Sequence, residues 1–541
     1  MNKKIIFFVL LSFFLTLPFA QTLPESPATP KDEQQENIQS ETEKAQEITE
    51  LPKNENLHPC QNLNIIFPQS VYNLNPHTAN YSSEAQILSG LYEGLFSYDS
   101  RSLDPVSGIV DTFKVSRNKL TWTFTLKENC TLSNGEKITA EIIRQSWLTL
   151  LAPETNAPFA SLLDCVVGAS DYRSGKTTSE NVKILAPNEN TLIVKLVAPT
   201  EHLPKILCHH AFSVVSQTKD VFSGAFQLTE HSDTHIVMTK NPHYWDAENV
   251  TLEKITFYLS DDAEENTYLF NTGKAHWVSA DIQTDFILQQ KSISIGTQFG
   301  TEYFFFKSHQ TPWNNPKIRE ALLYALPWET LRKDILISAQ SFIVPLLGYP
   351  EVIGFSDYDL DYAKELLQEN SLGENPTLTI AIPDNPRYTK IAQIMQESWQ
   401  ILGINVVIQP ISPLLYLQNI DKVEADLLTM TWIGDFADPL AFLELFRGNS
   451  TLNESAWNNE TYNTLLQEAS LLSGSERYKK LAQAEQLLLD EGMLITISHP
   501  ISFNVVDLSV LKGWYENPLD IHSFKSLYLE KDSPTGLIVK K

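Results

Sequence analysis

From Leu63 onward the chain alternates two hydrophobic rhythms. Short runs that are apolar at every second residue, or apolar throughout, read as strands. Longer runs with apolar residues three and four apart read as helices. LNIIF, from Leu63, is strand-like, and SSEAQILSGLYEGLFSY, from Ser82, carries Ile87, Leu88, Leu91 and Leu95 at helical spacing. LTWTFTLKENC, from Leu120, alternates again and predicts a strand. LSNGEKIT then supplies an Asn-Gly turn, and TAEIIRQSWLTLL predicts a helix capped by Thr139. NTLIVKLVAP predicts a strand, and SGAFQLTEHSDTHIVMTKNPHYW predicts a hairpin followed by an Asn-Pro turn. EYFFFKS, TLTIAIP and INVVIQPI are strand-like. NPKIREALLYAL, DYAKELLQEN and YTKIAQIMQESWQILG are helix-like. Such alternation places the fold in the α/β class.

The 541 residues exceed one ordinary core and allow two or more domains. A formal net charge of -26 argues against nucleic acid as a partner, because phosphate binding needs clustered Lys and Arg. The first residues, MNKKIIFFVLLSFFLTLPFAQ, have the form of a secretory signal peptide. Lys3 and Lys4 precede an apolar run from Ile5 to Leu17, and Ala20 suits cleavage. The apolar run is short for a span of about 20 residues, which favours cleavage over an uncleaved anchor. No Cys follows within reach to carry a lipid, so the expected location is the periplasm. Residues 21–59 are rich in Pro, Glu, Gln, Thr and Ser and poor in aromatics, and read as a flexible acidic tether. Cys60, Cys130, Cys165 and Cys208 form no CxxC pair, so a zinc site is not expected; bridges and free thiols both remain open.

Several phrases occur in a telling order. GLYEGLFSYD precedes TWTFTLKENCTLSNGEKITAEIIRQSW, then APFASLL, SGAFQL and NPHYWDAENVTLEKITFYL. PWNNPKIREALLYALPWETL, INVVIQPISPLLYLQNI and WIGDFADPLAFL follow. This succession, spread from about Leu63 to Leu529, resembles the oligopeptide- and dipeptide-binding proteins of bacterial ABC importers, the family-five extracytoplasmic solute-binding proteins. The resemblance implies a two-lobed periplasmic-binding-protein fold, hinged between the lobes, with an extra small domain on lobe one. It implies lobe one from 60–82, 201–300 and 502–541, the small domain from 83–200, and lobe two from 301–501. It further implies a monomer that takes a short peptide into an interlobe cleft and delivers it to an ABC permease and ATPase complex, with no cofactor and no metal. A cell-wall (murein) peptide, a metal chelate or haem is the alternative ligand.

In MTWIGDFADP, from Met430, a carboxylate follows directly on an apolar run. Ala425 to Trp432 reads as a strand and Leu440 to Phe446 as a helix, so Asp435 stands between them. By resemblance, an Asp at this position meets the ammonium of a bound peptide, while the backbone of Thr431, Trp432, Ile433 and Gly434 pairs with the peptide chain. That division suits a protein that accepts many side chains, because main chain and a charged end are what all peptides share. Asp435 or Asp438 is also placed to cap the helix; Asp438, just before Pro439, suits that role better. The resemblance brings Val71, Tyr72 and Asn73 to the opposite wall. Trp432, Phe159 (where the family often has Tyr), Tyr303 and Trp457 are aromatic candidates for the cleft, each with core packing as the competing role. Ser223 and Gly224 match a hinge-side motif usually written Asn-Gly. Thr429 stands where enteric-type oligopeptide binders place an Arg for the peptide's carboxylate.

An enzyme is not expected. Neither a G-x-S-x-G elbow nor H-E-x-x-H occurs. His209 and His210 are adjacent, so they are expected to point apart, at the surface or at a lobe contact.

Overall fold

The computed structural model describes residues 56–333, 335–418 and 420–531. The signal peptide and most of the tether lie outside the described residues. The tether expected to reach residue 59 ends earlier. Leu57 bridges Glu530, and the His58 N–H donates to the Leu529 carbonyl at 2.9 Å. All four cysteines are free thiols.

Three larger sheets organise the described residues. The first has seven strands and is built around Asn62–Phe67. This strand runs parallel to Lys254–Leu259 on one side and to Trp277–Val278 on the other. The predicted hairpin, Phe226–His231 with His235–Lys240, extends one edge. Ile501–Val506 and Ile293–Thr297 close the other. LNIIF is apolar except at Asn64 because both faces of this central strand are covered: Ile65 packs with Phe257 and Trp277, and Ile66 packs with Phe270 and Val505.

The second sheet has five strands in the order Asn405–Ile411, Thr377–Pro383, Leu427–Ile433, Gly300–Phe306, Leu494–Ser498. Gly300–Phe306 is buried along its whole length. Pro386–Gln400 covers this sheet, and its start is set by Pro386 at the first turn and by Asn385, whose side chain accepts from the Arg387 N–H.

The third sheet is antiparallel and pairs Val110–Val115, Thr121–Leu126, Thr191–Lys195 and Ile184–Asn188. Helix Ala140–Leu151 packs on it, with Thr139 accepting from the Ile142 N–H as its spacing predicts. Asn134-Gly135 makes the expected turn, with Gly135 at φ +83°.

Two adjacent links join the first sheet to the second. One runs from Thr297 to Gly300 and the other from Ser498 to Ile501. They are tied together by the Gln298 N–H donating to the Pro500 carbonyl at 3.0 Å.

Candidate functional site

The site strand is Leu427–Ile433. One edge pairs fully with Gly300–Phe306. On the other edge, Thr377–Pro383 reaches only Leu427 and Leu428 before the two strands part. The hydroxyl of Tyr416, from helix Pro413–Gln418, sits in the fork. It accepts from the Thr429 N–H and donates to the Thr429 carbonyl, both at 2.9 Å. Thr429 therefore turns its main-chain groups away from Gly300–Phe306. With the two-residue period of a strand, Thr431 and Ile433 do the same. The Gly434 N–H, of opposite phase, donates to the Phe299 carbonyl at 2.8 Å. The edge at Thr431 and Ile433 thus presents strand-pairing groups with no neighbouring strand.

That edge borders a cavity of about 370 Å³. Ser70, Val71, Tyr72, Tyr81 and Glu84 also line it, as do Phe159, His209 and His210. Among the described residues that line it, none is Lys or Arg.

Asp435 enters where the site strand ends. A Cβ on Gly434 would lie 2.7 Å from the Phe299 ring, so only glycine lets the backbone press there before Asp435. The Asp435 carbonyl accepts from the Tyr98 hydroxyl at 2.8 Å. Its side chain is 7% exposed, and Oδ2 is buried with no partner. Oδ1 faces His209 Nε2 at 3.7 Å. Burial pushes the Asp435 carboxyl well above the usual carboxylate range. Burial likewise holds the His209 imidazole far below its ordinary value, with His210 adding to the effect.

Asp438 is different. Its Oδ1 accepts from the Leu440 N–H at 3.0 Å, as a residue before a helix should, but its main partner is Arg477. The two Arg477 Nη atoms meet the carboxylate at 2.7 and 2.8 Å. Burial raises the carboxyl, and the Arg477 guanidinium outweighs it, holding Asp438 below its usual range.

The cavity gathers Val71, Tyr72, Phe159, Thr431, Trp432, Ile433, Gly434 and Asp435. Val71 is exposed, and the buried Tyr72 hydroxyl donates to the Pro68 carbonyl at 2.8 Å. Trp432 lines the cavity with one face, while its Nε1 donates to the Ala441 carbonyl at 3.0 Å. Other expected residues lie outside the cavity. Asn73 is held back because its N–H donates to Glu84 at 2.8 Å. Tyr303 is 2% exposed and packs edge-on against Phe342; Trp457 does so against Tyr462. Both are buried in the core and held by these ring contacts. Ser223 donates to the Val214 carbonyl at 2.7 Å and accepts from the Glu93 N–H at 3.1 Å. Gly224 lies so close to helix Ser82–Leu91 that a Cβ would come 2.5 Å from the Gly90 carbonyl. These two fasten that helix instead of facing the open strand edge.

For His209 and His210 it is the expected directions that fail. They do not point apart. His209 precedes a tight 3-10 turn, His210–Phe212, and the two rings lie 4.1 Å apart, both buried at the cavity. Arg387 is also missed. It makes two contacts with Glu302, at 2.5 and 2.6 Å, in an adjoining cavity of about 330 Å³ that shares Thr431. Among the described residues no cluster of three metal-binding side chains occurs, and no helix is long and apolar enough to cross a membrane.

Residues 104–454 match the family described as bacterial extracellular solute-binding proteins, family 5 Middle. The chain is 28% identical over 446 residues to the dipeptide-binding protein DppE of Bacillus subtilis, covering 76% of this chain and 82% of that protein. It is 26% identical over 473 residues to the oligopeptide-binding protein OppA of the same organism, covering 79% and 86%. Its fold is similar to that of the Escherichia coli murein tripeptide-binding protein MppA, with a TM-score of 0.78 at 24% identity, over 88% of this chain and 99% of that one. That likeness fixes the two-lobed α/β fold.

Proposed function

The chain belongs to the family-5 bacterial extracellular solute-binding proteins, and from that premise we propose that it captures short peptides with a free amino terminus for an ABC importer. The observation that carries this reading is the unpartnered, buried Oδ2 of Asp435 at the end of an unpaired strand edge. A peptide entering the cavity adds as a strand to the main-chain groups of Thr431 and Ile433. Its ammonium then meets Asp435 Oδ2 and supplies the partner that the protein leaves that oxygen without. Side chains project to either face of the added strand, where Phe159 and Trp432 offer apolar surface and Val71 the rim. This is a way to hold many sequences through what they share.

Capture requires the cleft to open. The two adjacent links at Thr297–Gly300 and Ser498–Ile501 are the proposed hinge, since they join the two sheets through few residues. The closed form is then presented to a membrane permease. The relatives whose names give a role are binding proteins, and no catalytic step is assigned to this site.

The test is mass spectrometry of whatever the purified protein releases on denaturation. A ladder of short peptides with varied sequences and free amino termini supports the reading. A single compound without a free amine overturns the ligand class.

A further inference from the structure

We propose that His209 is a positioning residue for the ammonium site: held as a neutral imidazole, it turns its N–H toward Asp435 Oδ1 and leaves Oδ2 for the ligand. This rests on the reading of the cavity as a peptide-ammonium site.

The tautomer follows from hydrogen bonding. The Ala211 N–H donates to His209 Nδ1 at 3.3 Å, so Nδ1 carries no proton. The ring's one proton sits on Nε2, which faces Asp435 Oδ1 at 3.7 Å, slightly beyond a hydrogen bond. A second ring proton on Nδ1 would set one N–H against another. The ring cannot swing away, because Phe159 lies 4.3 Å from it and His210 4.1 Å, centroid to centroid. The side chain itself is 6% exposed. His209 therefore offers a donor without offering a cation. A cation there would occupy Asp435 in place of the ligand.

The surroundings of Asp435 agree. From the same segment, His210 faces the Ala79 carbonyl through Nε2 and is also held neutral, its pKa lowered to about 4 by burial. Tyr98 donates to the Asp435 main chain, with the Cys208 thiol behind it. Lys205 is turned to the Ala437 carbonyl at 3.0 Å, and Arg477 to Asp438. Across the cavity, Glu84 is occupied by the N–H groups of Asn73, Asn80 and Tyr81, and Tyr72 by Pro68. No cation in this set serves Asp435, and burial pushes its carboxyl well above the usual carboxylate range.

Binding then has a proton balance. Below its pKa the Asp435 carboxylic acid gives its proton to solvent on binding, and the carboxylate forms the pair with the ligand ammonium. Below the Asp435 pKa each unit of falling pH weakens binding about tenfold. The His209 N–H favours the ionised form, so its loss moves that midpoint upward.

The experiment is calorimetric titration of alanine oligomers of three to five residues between pH 4 and 8, in two buffers of different ionisation enthalpy. Wild-type protein is expected to release one proton per ligand on the acid side of the midpoint. His209→Phe should weaken binding about tenfold and move the midpoint up by about one unit, while His209→Gln, which keeps an N–H donor, should restore most of both. An unmoved midpoint in a folded His209→Phe, with Asp435→Ala still losing affinity, overturns the role of His209 alone. No binding by the wild type, or full binding by Asp435→Ala, overturns the underlying reading of the site as well.

Discussion

Asp435 and Asp438 stand three residues apart on one stretch of backbone, with side chains 7% and 4% exposed. Asp438 meets a guanidinium through both oxygens and stays ionised. Asp435 faces an uncharged imidazole at 3.7 Å, keeps one oxygen unpartnered, and has its carboxyl pushed well above the usual range by burial. The difference lies in partners, not in depth. A buried carboxylate that the fold pairs for itself is structural. One that the fold leaves unpaired is a place where the fold has kept a cost for something else to relieve.

The contrast breaks most sharply in stability. Asp438→Ala strands Arg477 in the interior and should cost about 3–5 kcal/mol of unfolding free energy in a urea titration. Asp435→Ala strands no charge and should leave the urea midpoint unchanged or higher. In ligand affinity the order reverses. Asp435→Ala should lose about 2–5 kcal/mol of peptide binding, which is at least tenfold, as the ligand ammonium loses its partner.

The pH dependence sharpens the comparison further, because the two shifts have opposite signs. The folded pKa of Asp435 lies above its ordinary 3.8, so its contribution to stability is present below pH 3.8 and is lost as pH rises through the folded value. The folded pKa of Asp438 lies below 3.8, so its contribution is present above that value and is lost as pH falls through the folded one. Measured against Asp435→Asn and Asp438→Asn across the acid range, the two differences in unfolding free energy should slope in opposite directions. The smallest effect is expected at Thr431. If its main chain does the pairing, Thr431→Ala should change peptide affinity by no more than about twofold, within the ±0.5 kcal/mol usual for exposed positions. A larger loss by the same titration would move recognition to its side chain.

Much of the fold is legible in local pattern. The strand and helix rhythms, the Thr139 cap and the Asn134-Gly135 turn depend on neighbours in sequence, and they appear where the residues predict them, except that the helix from Ser82 ends at Leu91, short of Leu95, and Phe96–Tyr98 is a strand. The position of Asp435 after a strand is equally local. What surrounds it is not. Arg477 comes from 39 residues beyond Asp438, and Tyr416 reaches the fork from a separate helix. No periodicity marks either. Tyr303 and Trp457 show why aromatic residues mislead: a ring fits a cleft and a core alike, and only the packing around it decides. His209 and His210 are misread for a specific reason. Adjacent residues diverge in a regular strand or helix, but the turn at His210–Phe212 folds the two rings onto one cavity.

The central claim is that Asp435 holds a ligand's free ammonium. Its most direct test offers a digest of short peptides, half of it N-acetylated, to the wild type and to Asp435→Ala, and identifies the retained peptides by mass spectrometry. The wild type is expected to retain the free-amine peptides and reject their acetylated twins, and Asp435→Ala is expected to lose that preference. Equal retention of acetylated and free peptides by the wild type would contradict it.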